Sequence, residues 1–173
     1  MIRESRLPIV STAILLSIVL CQACGRTDRQ PAELADKIVI AKSAHTLTLM
    51  KGSRLLRVYK VAIGRQPVGA KIRSGDHKTP EGEYIIDSKK SDSRFDRALH
   101  ISYPNQTDRE RALREGVNPG GDIEIHGLQN GLRWIGSLHR RIDWTDGCIA
   151  VTDDEIEEIW NRTAVGTPVE IKP

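Results

Sequence analysis

Short hydrophobic runs separated by turns predict a β-rich domain over most of the chain. Residues 37–41 are a β-branched run, residues 46–49 alternate polar with apolar positions, and a Lys-Gly-Ser turn precedes the apolar stretch 55–63. Such alternation is typical of strands, so we expect a hairpin or meander here. Further strands are predicted at 83–87, 99–103, 122–126 and 167–172.

Two segments have the spacing of a capped helix instead. Thr107–Glu110 and Thr152–Glu155 each place a threonine three residues before a glutamate, which is the pattern of a capping box. Gly116 can end the first helix, and the apolar residues after the second box share one helical face. The predicted fold class is therefore mainly β (α+β), with small peripheral helices.

The chain opens with the pattern of an export signal. Arg3 and Arg6 precede an uncharged run rich in Ile, Val and Leu, and Ala23 stands directly before Cys24. This end resembles the lipobox of bacterial lipoproteins, whose cysteine becomes the lipidated first residue. We predict lipidation at Cys24, with soluble secretion after Ala23 and an uncleaved anchor as alternatives. All three place the domain outside the cytoplasm, in the periplasm, and the first and third attach it to a membrane.

Composition divides the chain into a signal peptide over residues 1–23, a polar tether over 24–37 and one domain over 38–173. The net charge is +3 and no basic stripe occurs, so nucleic-acid binding has no support. No close pair of His, Cys or carboxylate residues has the spacing of a zinc site. We therefore expect neither a metal nor another cofactor.

Cys148 is the candidate nucleophile. Of the three cysteines, Cys21 leaves with the signal peptide and Cys24 is acylated, which leaves Cys148 alone in an oxidising compartment where structural cysteines are normally paired. A lone cysteine is often only a small buried hydrophobic residue. The flanking Thr-Asp-Gly and an upstream His-Gly favour the nucleophile instead.

His126 is the candidate base, at the end of a predicted strand and separated from Cys148 by 21 residues. An imidazole base needs an acceptor on its second nitrogen, and either the carbonyl of Gly127 or the carboxylate of Asp146 can supply it. The N–H groups of Gly147 and Cys148 are the expected oxyanion donors. The alternatives are a core histidine and an ordinary turn.

The connecting segment contains one more histidine of interest. His139 could be a second base, a substrate contact or a plain surface histidine. His45, His77 and His100 are assigned no role, although His77 belongs to a turn that could border the site.

The motifs Thr79-Pro80-Glu81-Gly82, Ile125-His126-Gly127 and Thr145-Asp146-Gly147-Cys148-Ile149 resemble the L,D-transpeptidase (YkuD-type) catalytic domain, and the resemblance covers nearly all of residues 38–172. It implies a β-sandwich-like domain and an extracytoplasmic peptidoglycan enzyme. Such enzymes attack tetrapeptide stems after the third, diamino-acid residue and release the terminal D-alanine. The thioester is resolved by an amine of another stem, by a lysine of an anchored protein or by water.

The resemblance also implies roles for single residues. Cys148 matches the nucleophile, His126 the base and Gly127 the residue whose carbonyl orients it. Thr145 opens the motif and Gly147 precedes the cysteine. Tyr103 is a looser match, to a position where an aromatic ring lines the substrate cleft.

Two positions depart from the family pattern. Asp146 stands where many members have histidine, and Ala150 where many have arginine or asparagine. A carboxylate beside a thiolate raises the pKa of the thiol unless it is paired. We therefore expect Asp146 to contact substrate or to hold a cation such as His126 or Arg141.

The predicted function is that of a peptidoglycan L,D-transpeptidase that forms cross-links or attaches a protein to peptidoglycan. Its partners would be stem peptides, an anchored lipoprotein as acyl acceptor, and the membrane through the lipid. A hydrolase with the same chemistry, either an L,D-carboxypeptidase or a peptidoglycan–lipoprotein amidase, is one alternative. A non-catalytic wall-binding lipoprotein is the other.

Overall fold

The computed structural model describes residues 32–173, and strands dominate this part of the chain. The predicted signal peptide, Cys24 and the first residues of the predicted tether lie outside the described residues. The elements in chain order are β1 (Lys37–Ala41), β2 (Thr46–Lys51), β3 (Arg54–Lys60), β4 (Gly82–Ser93), β5 (Asp96–Ile101), α1 (Gln106–Glu115), β6 (Glu124–His126), a 3₁₀ segment (Arg133–Arg141), β7 (Ile149–Ala150), α2 (Asp153–Arg162) and β8 (Pro168–Lys172).

The strands form one curled eight-stranded sheet in the order β3-β2-β1-β8-β4-β5-β6-β7. The long strand β4 joins its two halves, because residues 82–85 pair with β8 whereas residues 86–93 pair with β5. Most neighbours are antiparallel, but β1 runs parallel to β8 and β6 runs parallel to β7. The predicted fold class, mainly β with small helices, is confirmed.

The core packs against one face of this sheet and is built from aliphatic side chains. In β1 and β2 every second residue is buried, which puts Ile38, Ile40, Leu47 and Leu49 at the centre of the core. This is the alternation that the sequence pattern predicts for a sheet with one buried face. Helix α2 adds Ile156 and Ile159 to the same cluster, as their spacing predicts.

Both helices begin with a capping box, one of them at an unexpected residue. In α2, Thr152 and Glu155 form the predicted box. In α1 the box is formed by Asn105 and Asp108, and the predicted Thr107–Glu110 pair lies inside the helix. Asp108 is buried and also accepts a hydrogen bond from Tyr84 Oη at 3.0 Å. That tertiary contact favours Asp108 over the more exposed Glu110.

Several boundaries differ from the predicted ones. Strand β4 continues to Ser93, and β5 begins at Asp96 rather than at residue 99. The domain also begins before residue 38, since Ala35 is buried and its N–H donates to Arg162 O at 2.8 Å. Within residues 32–173, no helix has the length and apolar character needed to span a bilayer.

Candidate active site

Strands β6 and β7 bring the candidate nucleophile and base into one cleft. Ile125 pairs in parallel with Ile149, so His126 at the end of β6 and Cys148 just before β7 lie on neighbouring strands. Both residues line a cavity of about 430 Å³. Pairing of β6 with β7 therefore brings the two residues into one cleft although 21 residues separate them in sequence.

His126 is buried and held in a single orientation. Its Nδ1 lies 2.7 Å from the carbonyl oxygen of Gly127, which can only accept a hydrogen bond, so Nδ1 carries the proton and Nε2 keeps its lone pair. Phe95 packs on the ring at 4.4 Å between centroids, and Trp144 meets it edge-on at 5.9 Å. Burial lowers the pKa of His126 and outweighs the opposing hydrogen bond to Gly127. The imidazole is therefore neutral at neutral pH and able to accept a proton.

Cys148 is a free thiol that remains partly exposed. Its Sγ donates a weak hydrogen bond to the carbonyl oxygen of Asp122 at 3.4 Å. Burial raises the pKa of Cys148 to about 11, and the nearby carboxylates of Glu124, Asp146 and Asp122 act in the same direction, against a backbone hydrogen bond from Glu124. The resting cleft therefore holds a neutral thiol, whose hydrogen bond goes to Asp122 O, and a neutral imidazole, and thiolate formation requires the base.

The turn before Cys148 is fixed by the hydroxyl of Thr145. Thr145 Oγ1 donates to Cys148 O at 2.7 Å and accepts the N–H of Gly147 at 3.2 Å. This placement differs from the expected oxyanion role of Gly147, because its N–H already has an acceptor. Thr145 is likewise buried, and its hydroxyl is occupied within the turn rather than offered to a substrate.

Glycine is required at position 147 for two reasons. Its φ of +130° lies in a region that L side chains rarely adopt, and an added Cβ would lie 2.6 Å from the carbonyl oxygen of Lys78. The loop that contains Lys78 therefore presses directly against the nucleophile turn.

Asp146 contacts an arginine and a histidine, but not the expected ones. Its carboxylate forms an ion pair with Arg65, and its Oδ1 lies 2.8 Å from His77 Nδ1. The hydrogen bond from Arg65 lowers the pKa of Asp146, and the one from His77 adds to it. Neither His126 nor Arg141 is a partner of this carboxylate among the described residues.

Two further predicted site residues, Tyr103 and His139, lie outside the cleft, and so does Ala150, which differs from the family pattern. Tyr103 is buried in the core, where its hydroxyl donates to Pro119 O at 3.0 Å, so its ring is not in the cleft. His139 is also buried, next to Trp144, and is not a surface histidine. Ala150 is fully buried in β7, and its N–H donates to Ala62 O at 2.8 Å.

Sequence reasoning missed the aromatic wall of the cleft. Phe95 and Trp144 enclose His126, and the guanidinium of Arg94 lies over the Phe95 ring at 4.8 Å. A signal for one of them was present, since Phe95 is the only phenylalanine of the chain and stands within the polar run 91–97.

The site has the parts for acyl transfer and none for a metal centre. Among residues 32–173 no cluster of three or more His, Cys or carboxylate side chains could hold a metal ion. What the cleft offers is a thiol, an oriented neutral imidazole and a backbone N–H at Cys148.

The curled sheet with this cleft at its β6–β7 edge is the architecture of one class of catalytic domain. The chain belongs to the YkuD family of L,D-transpeptidase catalytic domains, which its residues 35–171 match. The resemblance predicted from the motifs is thereby confirmed.

The chain is similar to several known proteins. YafK of Escherichia coli K12, named as a candidate L,D-transpeptidase, is 32% identical over 129 residues, which are 71% of this chain and 45% of that protein. The chain thus spans less than half of this relative.

Among solved structures, the helical cell shape determining protein Pgp2 of Campylobacter jejuni has a TM-score of 0.58 at 22% identity, over 84% of this chain and 52% of that one. The L,D-transpeptidase of Xylanimonas cellulosilytica has a TM-score of 0.54 at 15% identity, over 80% and 61%. Likeness at these identities concerns the fold alone.

Proposed function

We propose that this protein is a peptidoglycan acyltransferase in which Cys148 attacks the stem tetrapeptide after its diamino-acid residue. The observation that carries the proposal is the orientation of His126, whose Nδ1 is fixed 2.7 Å from Gly127 O while its ring lines the same cleft as Cys148. An oriented neutral imidazole beside a thiol is the arrangement that activates a cysteine nucleophile.

The reaction follows from these protonation states. Nε2 of His126 takes the proton from Sγ as sulfur attacks the carbonyl carbon. The N–H of Cys148 stabilises the oxyanion of the tetrahedral intermediate. The imidazolium then protonates the leaving amine, D-alanine departs, and a thioester remains on Cys148.

Resolution of the thioester repeats the steps in reverse. An incoming amine from a second stem or from a protein lysine gives its proton to Nε2 and attacks the thioester. The products are a cross-link or a protein attached to peptidoglycan. Water in place of the amine makes the same site a hydrolase, and product analysis separates the two.

The test is mass spectrometry of the protein after incubation with a purified disaccharide-tetrapeptide. We expect an adduct of the tripeptide acyl group on Cys148, no adduct in Cys148→Ala, and acylation at least about 10²-fold slower in His126→Ala. Dimers or lysine conjugates indicate a transferase, whereas trimmed monomers alone indicate a hydrolase. A thiol that neither the muropeptide, a carbapenem nor a small alkylator modifies would leave only the non-catalytic wall-binding protein.

The location belongs to the same proposal. Family members are typically extracytoplasmic, and we propose that Cys24 carries a lipid that holds the domain at a membrane. Cys24→Ala should then release the protein from the membrane fraction and abolish its labelling by a radioactive fatty acid. Labelling that survives this change would contradict lipidation at Cys24.

A further inference from the structure

A second cavity adjoins the catalytic cleft and differs from it in chemistry. Its volume is about 310 Å³, and most of its lining is aliphatic. Gln129 and Trp144 line both cavities, so the two are neighbours that share a wall. The aliphatic lining comes from the segment between His126 and Thr145, namely Leu128, Leu132, Ile135, Leu138 and Ile142.

The rim of this cavity exposes large apolar side chains to solvent. Leu138 is 54% exposed, Ile142 69% and the nearby Trp134 78%. Several such side chains within one short segment mark a binding surface more often than chance exposure. Single exposed apolar residues elsewhere, such as Leu113 on α1, lie apart from this cluster.

One polar atom at the cavity lacks a partner. His139 lines the cavity and is 7% exposed, and its Nε2 is buried without a hydrogen bond among residues 32–173. The indole N–H of Trp144 donates to Nδ1 at 3.4 Å, so Nε2 carries the proton. A buried donor without an acceptor costs stability. An occupant with a carbonyl group would supply that acceptor.

The charges around the rim argue against a membrane as the occupant. Arg133 and Arg140 form ion pairs with Asp154 and Glu155 of the acidic first turn of α2. An anionic lipid surface would need these arginines unpaired and would be repelled by the carboxylates of Asp154 and Glu155 that they leave. An apolar side chain on a neutral backbone has no such conflict.

Building on the proposed function, we infer that this cavity binds an apolar side chain of a polypeptide that is joined to, or about to be joined to, the stem peptide in the adjacent cleft. The methylenes of a stem's diamino-acid residue end in a charged group and its alanine offers only a methyl group, so neither supplies a large uncharged side chain for an aliphatic cavity of this size. A polypeptide supplies both a large apolar side chain and a backbone carbonyl for His139. The cavity would therefore select the protein partner of the reaction.

The experiment measures binding to the full chain carrying Cys148→Ala, which performs no chemistry. The probes are acetylated peptide amides ending in lysine, with one leucine placed one to four residues before it, each compared with its alanine counterpart. We expect at least one leucine peptide to bind about tenfold more tightly than its counterpart, as burial of one leucine side chain predicts. Leu138→Asp should abolish that preference, and the matched change Leu113→Asp on α1 should preserve it.

The unpaired N–H donor of His139 allows a second, independent binding experiment. His139→Leu should weaken binding of the preferred peptide about fivefold or more, whereas His139→Gln, which keeps an N–H donor, should retain most of it. Thermal unfolding of each variant identifies a misfolded protein, and Ile142→Ser then replaces Leu138→Asp. Because acyl chemistry is absent throughout, failure of the thioester assay on the wild-type chain is a separate result.

Two outcomes would overturn the inference. One is equal affinity for all leucine and alanine peptides. The other is binding to phosphatidylglycerol vesicles that Leu138→Asp abolishes, together with equal affinity of the protein for the leucine and alanine peptides. That result would identify the surface as a membrane contact.

Discussion

Two connecting segments border the catalytic cleft, and different interactions hold them in place. Residues 64–81, here called the charged loop, are fixed by ion pairs with little exposure. Lys71 contacts Asp76 at 2.8 Å, and the buried Lys42 contacts Glu81 at 2.7 Å. Residues 128–144, here called the apolar segment, have ion pairs at their surface and several exposed aliphatic side chains.

The difference indicates a division of labour between the segments. The charged loop supplies Lys78 O against Gly147 and Arg65 against Asp146, so it supports the nucleophile turn directly. The apolar segment contributes Gln129 and Trp144 to the cleft, and most of its aliphatic side chains line the neighbouring second cavity instead. We therefore expect changes in the charged loop to alter folding and chemistry, and changes in the apolar segment to alter partner choice.

The largest loss of stability is expected from Asp76→Ala, which removes the buried ion pair of the charged loop. The change leaves the ammonium of Lys71 buried without its partner and removes the acceptor for the N–H groups of Ile72, Arg73 and Lys78. Removing one partner of a buried ion pair typically costs about 3–5 kcal/mol. Urea unfolding of the variant beside the wild-type chain measures this loss.

The same carboxylate predicts a pH dependence. Burial alone would raise the pKa of Asp76, but the hydrogen bonds from Lys71 and from three backbone N–H groups outweigh it and lower the pKa to about 2. A lowered pKa in the folded state means that the stabilisation is complete above about pH 4 and is lost as the pH falls towards 2. The difference in free energy of unfolding between Asp76→Ala and the wild-type chain should therefore shrink as the pH falls from about 4 towards 2. A gap that stays constant with pH would contradict the role of this ion pair.

Gly147→Ala should give the next largest effect, at the contact between the charged loop and the nucleophile. The added Cβ meets Lys78 O, and the φ of +130° is strained for alanine. Strain of this kind costs about 1–3 kcal/mol, and its relief moves the N–H of Cys148. We expect thioester formation to slow by about 10²-fold or more, while Gly131→Ala, where nothing lies within 4 Å of a built Cβ, leaves the rate near that of the wild-type chain. Equal rates in both variants would mean that this close approach does not matter.

The sheet could be predicted from the sequence because its signals are local. Alternation in residues 46–49 and the β-branched run at 37–41 correspond to β2 and β1, and the box at Thr152 corresponds to the start of α2. The cap at Asn105 was missed because an Asn–Asp pair lies outside the Ser/Thr-x-x-Glu/Gln pattern of the capping box, and burial of Asp108 favours it over Thr107–Glu110.

The candidate site was predictable only in part. His126 and Cys148 stand in short motifs, so their pairing followed from the sequence. The partners of Asp146 did not, because Arg65 and His77 lie 81 and 69 positions away in the chain and only the fold brings them together. The cavity beside the cleft was missed for a related reason, since its lining residues are spread over positions 128–144 and meet only in the folded chain.

Asp146→Asn tests how the carboxylate that the charged loop holds affects the pKa of the Cys148 thiol. The carboxylate of Asp146 is one of three that add to burial in raising the pKa of Cys148 to about 11. Its removal should lower the pKa of Cys148, because one of the negative charges that disfavour the thiolate is then absent. The pH dependence of Cys148 alkylation by iodoacetamide measures the change. A wild-type rate that reaches its plateau near pH 7 would instead indicate a preformed thiolate, and an unchanged profile in Asp146→Asn would remove this carboxylate from the account.

The smallest effect on stability is expected from Ile142→Ser in the apolar segment. Ile142 is 69% exposed and lines the second cavity, so the folded chain loses little buried area when this side chain is shortened. We expect the free energy of unfolding to change by no more than about 0.5 kcal/mol. Thioester formation from a small muropeptide should also be unchanged, because the side chain does not line the catalytic cleft. A loss of stability as large as that of Asp76→Ala would mean that the apolar segment is a structural support, and the contrast between the two segments would then fail.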